Sequence, residues 1–217
     1  SICELILKRS EGSGIPFMRG FFSPLDLLAS LRGDDIYTDF YDEPDLLHDA
    51  LDYCAESIIK FAQDLYSLVR KYLKDTQYGT FFIDGMINMS EDISCMISAE
   101  LYREFSAPHT QKVIDSFGMG FMHCHSRAMY LVKEICSLKN VVHLWLAADP
   151  QQPRPIDHVK RLVDDANGVC LAIDCLNFSE IEKNYEDLCC GNFSICLPVK
   201  DLNEGMDTIH KFKRLSE

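Results

Sequence analysis

The sequence predicts an α/β fold, a parallel sheet built from repeated strand and helix units, and three observations lead there. The first is a set of short, continuous apolar runs, Val141 to Ala147, Val169 to Cys175 and Phe193 to Leu197, which read as strands covered on both faces. The second is that stretches of about 10 to 15 residues with helical periodicity separate them, as in Ile156 to Asn167 and Leu202 to Leu215. The third is an absence. A doubly wound sheet favours a glycine-rich phosphate loop after an early strand, and neither G-x-G-x-x-G nor G-x-x-x-x-G-K-[ST] occurs here. The expectation is therefore a barrel, of which about five or six βα units are present.

Taken in order, Ile2 to Arg9 reads as the end of a helix already under way at Ser1, so the chain is expected to be part of a longer one. Gly14 to Phe22 is punctuated by Gly and Pro and reads as a strand that passes through Ser23-Pro24 into a helix over Leu25 to Arg32, ended by Gly33. From Glu43-Pro44 to Lys74, apolar residues at Leu47, Leu51, Cys54, Ile58, Phe61, Leu65, Leu68 and Tyr72 recur every three or four positions, the pattern of one long amphipathic helix. Tyr78 to Ile83 and Ile93 to Ile97 read as short strands flanking a turn at Asn88 to Asp92. Ser98-Ala99-Glu100 starts a helix that runs to Phe117, which Pro108 kinks or divides. Further helices are expected over Arg127 to Leu138 and Ser179 to Leu188, with a loop at Ala148 to Pro155.

Composition narrows the function. A hydrophobic content of 47% over 217 residues is ample for a core, and the chain reads as one domain, residues 1 to 217. A net charge of -13, without concentrated Lys and Arg, argues against a nucleic-acid partner. No apolar run approaches the roughly 20 residues of a membrane span, and no signal-peptide pattern opens the chain, so a cytoplasmic protein is the expectation. The ten cysteines sit within apolar segments, as reduced thiols do, and the Cys189-Cys190 pair lacks the second C-x-x-C of a zinc ribbon.

The chemistry concentrates at Gly118 to Ser126, where a short apolar segment runs into His123-Cys124-His125. In an extended chain alternate residues share a face, so both histidines point one way, as ligands to a metal ion or as histidines satisfied by backbone carbonyls. Barrel enzymes carry their reactive groups at the C-terminal ends of strands, where His123, His125, Asp149, Asp174, Cys175 and Cys196 fall. His143 reads as a structural histidine, and the acidic stretches at Asp34-Asp35 and Asp39 to Glu43 read as solvated.

The chain resembles the uroporphyrinogen decarboxylase superfamily. The resemblance rests on Gly20-Phe21-Phe22-Ser23-Pro24, the long helix after Glu43-Pro44, Ile97 to Pro108, and Phe121-Met122-His123-Cys124-His125. It spans nearly the whole chain through loose motifs. It implies a TIM-type (β/α)8 barrel entered about two strands in. The superfamily contains tetrapyrrole decarboxylases and zinc-dependent methyltransferases that work with corrinoid proteins and coenzyme M. The decarboxylase tyrosine would fall near Ser30, and the decarboxylase histidine where Cys196-Leu197-Pro198 stands, so neither is matched. The methyltransferases carry His-x-Cys at one strand end and a Cys at the last strand as zinc ligands, which implies His123, His125 and Cys196 here, with Cys175 as the rival third ligand.

The activity implied by this resemblance is that of a zinc-dependent enzyme moving a methyl group between a small donor or thiol and a corrinoid. Tetrapyrrole decarboxylation, or a non-catalytic module that keeps the fold, are the other readings. With His in place of the middle Cys, metal-assisted hydrolysis also stays open. Asp92, where the resemblance implies a polar residue facing the barrel mouth, and Asp149, after the apolar strand, are the candidate catalytic carboxylates, each also readable as an ordinary loop residue. A partial barrel leaves its first and last strands unpaired, and such edges invite dimerisation or a separately supplied N-terminal segment.

Overall fold

The computed structural model describes residues 2–10, 20–72, 85–215 and 217. Among the described residues six strands form one sheet: β1 (Phe21–Phe22), β2 (Met86–Ser90), β3 (Met119–His125), β4 (Val141–Ala147), β5 (Cys170–Asp174) and β6 (Phe193–Cys196). Every neighbouring pair is parallel, and the strands lie in chain order from β1 to β6 with no reversal. Among the described residues β1 and β6 are thus the two edges and do not pair with each other.

The helices are α1 (Ile2–Ser10), α2 (Pro24–Arg32), α3 (Ile36–Asp42), α4 (Pro44–Tyr72), α5 (Ala99–Leu101), α6 (Ala107–Asp115), α7 (Val132–Cys136), α8 (Val159–Ala166), α9 (Phe178–Lys183), α10 (Tyr185–Leu188) and α11 (Leu202–Leu215). Alternation along each strand sorts its side chains into two sets. Ile87, Met89, Met122, Cys124, Leu144, Leu146, Leu171 and Ile173 form one core with Leu25, Leu51, Ile114, Ile135, Leu162 and Ile181 from the helices. The other set is Asn88 and Ser90, then Phe121, His123 and His125, then His143, Trp145 and Ala147, then Ala172, and it stays outside that core. One face of the sheet therefore carries the helices and the other carries the polar and aromatic residues. No helix of the described residues is long and apolar enough to cross a membrane.

The capping signals act as read. Ser23 caps α2, its hydroxyl accepting from the Asp26 amide at 3.2 Å, and Gly33 ends it at φ +71°, a conformation that favours glycine. Pro108 sits in the first turn of α6 and cannot donate to a carbonyl four residues back. The chain takes a π turn over Tyr102–Ser106 instead, with the Ala107 amide reaching the Tyr102 carbonyl. Pro108 thus divides the predicted helix through a widened turn.

One stretch corrects the sequence reading. Asn88 to Ser90, expected to belong to a turn, completes β2, and Ile93 to Met96, expected within a strand, is a 3-10 turn. β2 alternates buried Ile87 and Met89 with polar Asn88 and Ser90, so a strand with a polar inner face imitates a turn in composition. The amides of Asp92 and Ile93 then donate to the Asp26 carboxylate at 3.0 and 2.9 Å, which takes them out of any ladder. The predicted strand Tyr78 to Ile83 lies outside the described residues, as does most of Gly14 to Phe22, whose last two residues are β1.

Candidate metal centre

Alternation on β3 puts His123 and His125 on the inner face, with their ring centroids 5.0 Å apart and their planes at 74°. β2 ends one residue before Glu91, whose amide donates to the His123 carbonyl at 2.8 Å, so the next residue, Asp92, arrives beside the two rings. Its Oδ1 lies 3.6 Å from His123 Nε2 and 3.4 Å from His125 Nε2. The three ligand atoms fall within 4.8 Å of one another, the single such group among the described residues.

These spacings are too long for good hydrogen bonds. They suit an ion, because zinc bonds of about 2.0 to 2.1 Å in a tetrahedral set place neighbouring donors about 3.3 Å apart. Asp92 Oδ1 is buried and has no hydrogen-bond partner, an unusual state for a carboxylate oxygen and the one a bound cation would satisfy. The residues therefore fit a metal.

Asp149, at the start of the loop after β4, stands behind the histidines. Its Oδ1 is 2.8 Å from His125 Nδ1, and its Oδ2 accepts from the Arg127 amide at 3.1 Å and the Ser126 hydroxyl at 3.3 Å. Partial burial works to raise its carboxyl, but the Arg127 amide, His125 and Ser126 together hold it below the ordinary value. An ionised carboxylate only accepts, so His125 Nδ1 donates to Asp149 and Nε2 is the ring atom turned toward Asp92, where a metal would bind. His123 lacks such support, its Nδ1 being buried without a partner. Burial lowers its basicity against the pull of Asp92, which keeps the ring neutral, as a ligand requires.

Cys196 lies elsewhere. It is two residues past Ser194, which faces Ala172 across β5 and through it Trp145 and His123, so register puts it on the histidine face. β6 is nevertheless three strands from β3, on the order of 14 Å along the sheet, and the thiol is outside the ligand group. Burial and the neighbouring Asp174 carboxylate raise its pKa, which favours the thiol over the thiolate. Cys175 is buried in the helix-packed core, and burial pushes its thiol up to about 11. His143 stacks on Phe121 at 4.0 Å, and Asp174 accepts from the Ala148 amide at 3.4 Å.

The ligand group forms part of the wall of a cavity of about 550 Å3, otherwise lined by Phe21, Phe22, Asn88, Trp145 and Ala147 among others. Gly20, just before β1, also lines it, and a Cβ there would crowd Asn88, meeting its Oδ1 at 2.8 Å and its backbone carbonyl at 3.1 Å. Two buried carboxylates went unread in the sequence. Glu91 is wholly buried, accepting from Thr110 and Ser94 at 2.8 Å, Ser106 at 3.1 Å and Tyr102 at 3.4 Å, and burial together with the Asp26 charge pushes it up to about 7. Asp26 is raised to about 6 by burial, against the Ser90 hydroxyl and the amides of Asp92 and Ile93. An acidic pair closing an apolar strand, Glu91-Asp92, was the available signal for the first. No family model matches the chain, and no curated protein matches its sequence.

Proposed function

We propose that this chain is a zinc-dependent enzyme in which Asp92, His123 and His125 hold the ion and leave its remaining position open to the cavity, and that it moves a methyl group between a small substrate or thiol and a corrinoid. The observation that carries the reading is the convergence of two imidazole nitrogens on a buried, unpartnered Asp92 oxygen. The six sequential parallel strands, with helices on one face only, support a further proposal, that they are consecutive strands of a (β/α)8 barrel whose substrate groups gather at the strand ends. Among the described residues the sheet ends at β1 and β6, which supports self-association or pairing with another segment.

When bound, zinc would supply Lewis acidity that lets a thiol, or water, lose its proton near neutral pH. His125 is aimed by Asp149, burial lowers the basicity of His123, and Phe21, Phe22 and Trp145 give the cavity an apolar wall. The test is to incubate the zinc-loaded chain with methylcobalamin and a small thiol, where the methyl group passes from cobalt(III) to sulfur, the thiol proton goes to solvent and cobalt(I) is left. Zinc-dependent appearance of cob(I)alamin, lost in His125→Ala, is expected. No turnover above the variant would remove the methyl-transfer reading.

Metal-assisted hydrolysis is the second reading, and the carboxylate in the ligand group favours it, since oxygen and nitrogen donors without thiolate make a harder, more water-activating centre. Zinc-dependent cleavage of 4-nitrophenyl acetate or bis(4-nitrophenyl) phosphate, without methyl transfer, would select it. Decarboxylation of an anionic tetrapyrrole is less well supported, because among the described residues no Lys or Arg lines the cavity.

A further inference from the structure

Asp92 reaches the histidines from irregular backbone, one residue past Glu91 and at the edge of a 3-10 turn. Its side chain is 44% exposed, and its Oδ1 has no partner, so packing does little to hold it. The main chain is what holds it. The Glu91 amide is tied to the His123 carbonyl at 2.8 Å, and the next two amides, Asp92 and Ile93, donate at 3.0 and 2.9 Å to the two oxygens of a single carboxylate, Asp26. The same carboxylate accepts the Ser90 hydroxyl at 2.6 Å. Asp26 is 3% exposed and stands in the first turn of α2, whose cap Ser23 donates its own amide to the Ser90 carbonyl at 3.0 Å. Residues 90 to 93 are therefore clasped from a helix more than sixty positions away in the chain.

We propose that Asp26 is a positioning residue for the metal centre, fixing the Asp92 peptide so that its carboxylate meets the His123 and His125 nitrogens. The inference rests on the metal reading above. A ligand set is as tight as its placement, and loss of an outer partner typically costs about 10- to 100-fold in metal affinity. Asp26→Asn keeps the volume but turns one acceptor into a donor facing an amide donor, so it releases Asp92 without opening a cavity.

Zinc affinity, measured by competition with a chromophoric chelator, together with the visible spectrum of the cobalt(II)-loaded chain, tests it. Asp26→Asn is expected to weaken zinc about 10- to 100-fold and to change the cobalt bands, which report coordination. Leu162→Ala, a core truncation on α8 remote from the centre, should lower stability and leave both unchanged. If Asp26→Asn does not fold, Asp26→Ser, smaller and still an acceptor, carries the same expectation. Tight zinc binding in the parent, lost in Asp92→Ala but intact in Asp26→Asn, would overturn this inference alone. A parent chain that binds no zinc would overturn the metal reading and this inference with it.

Discussion

Stability of the metal-free chain should fall as the pH rises from about 5 to about 8, and Glu91→Gln should remove most of that fall. Glu91 is fully buried among the hydroxyls of Ser94, Tyr102, Ser106 and Thr110, whose hydrogen bonds favour the ionised carboxylate but are outweighed by burial. No cation among the described residues bonds to it, so the hydroxyls offset only part of the cost of a buried charge. Its ordinary value of 4.5 is raised to about 7 in the fold, so the folded state holds the proton more tightly than the unfolded chain does. The stabilisation is fully present below the unfolded value and is lost as the pH rises through the folded one. At 1.36 kcal/mol for each factor of ten, the loss is on the order of 3 kcal/mol. Asp26, raised from 3.8 to about 6, contributes with the same sign. Urea midpoints across this range measure it, and a parent chain that gains stability toward pH 8 would contradict the assignment.

Removing either histidine should abolish stoichiometric zinc uptake. With three protein ligands, His123→Ala or His125→Ala leaves two, and Asp92→Ala leaves an imidazole pair with no charge to offset the cation. Asp149→Asn should act differently, keeping the ligands while losing the acceptor that fixes the His125 tautomer, so affinity is expected to fall about 10- to 100-fold rather than vanish. Metal analysis after dialysis, and then chelator competition, separates the two grades of effect. Equal losses in all four variants would mean that the variants disturb the fold rather than the centre.

The fold was legible where one periodicity dominated. Val141 to Ala147 and Leu202 to Leu215 were bounded as they stand, because a continuous apolar run and an amphipathic stripe each carry a single signal. β2 was not, since its inner face bears Asn88 and Ser90 and its buried face is only Ile87 and Met89, with Met86 before them. The shared face of His123 and His125 was readable from alternation alone. Asp92 was singled out, but its place beside the histidines depended on where β2 ends, and misplacing that strand hid it as a ligand. Glu91 and Asp26 bond to partners 3 to 67 residues away, and no local pattern announces the long-range ones. For Cys196 the sequence reading reached the strand end, and register adds the face, but the separation of β6 from β3 is a property of the assembled sheet.

X-ray absorption at the zinc edge tests the centre most directly, because it reads the atoms bound to the ion without any substitution. The predicted first shell contains only nitrogen and oxygen at about 2.0 to 2.1 Å, from His123, His125, Asp92 and an exchangeable ligand. A sulfur scatterer near 2.3 Å would contradict it, and would return Cys196 to the metal in place of Asp92.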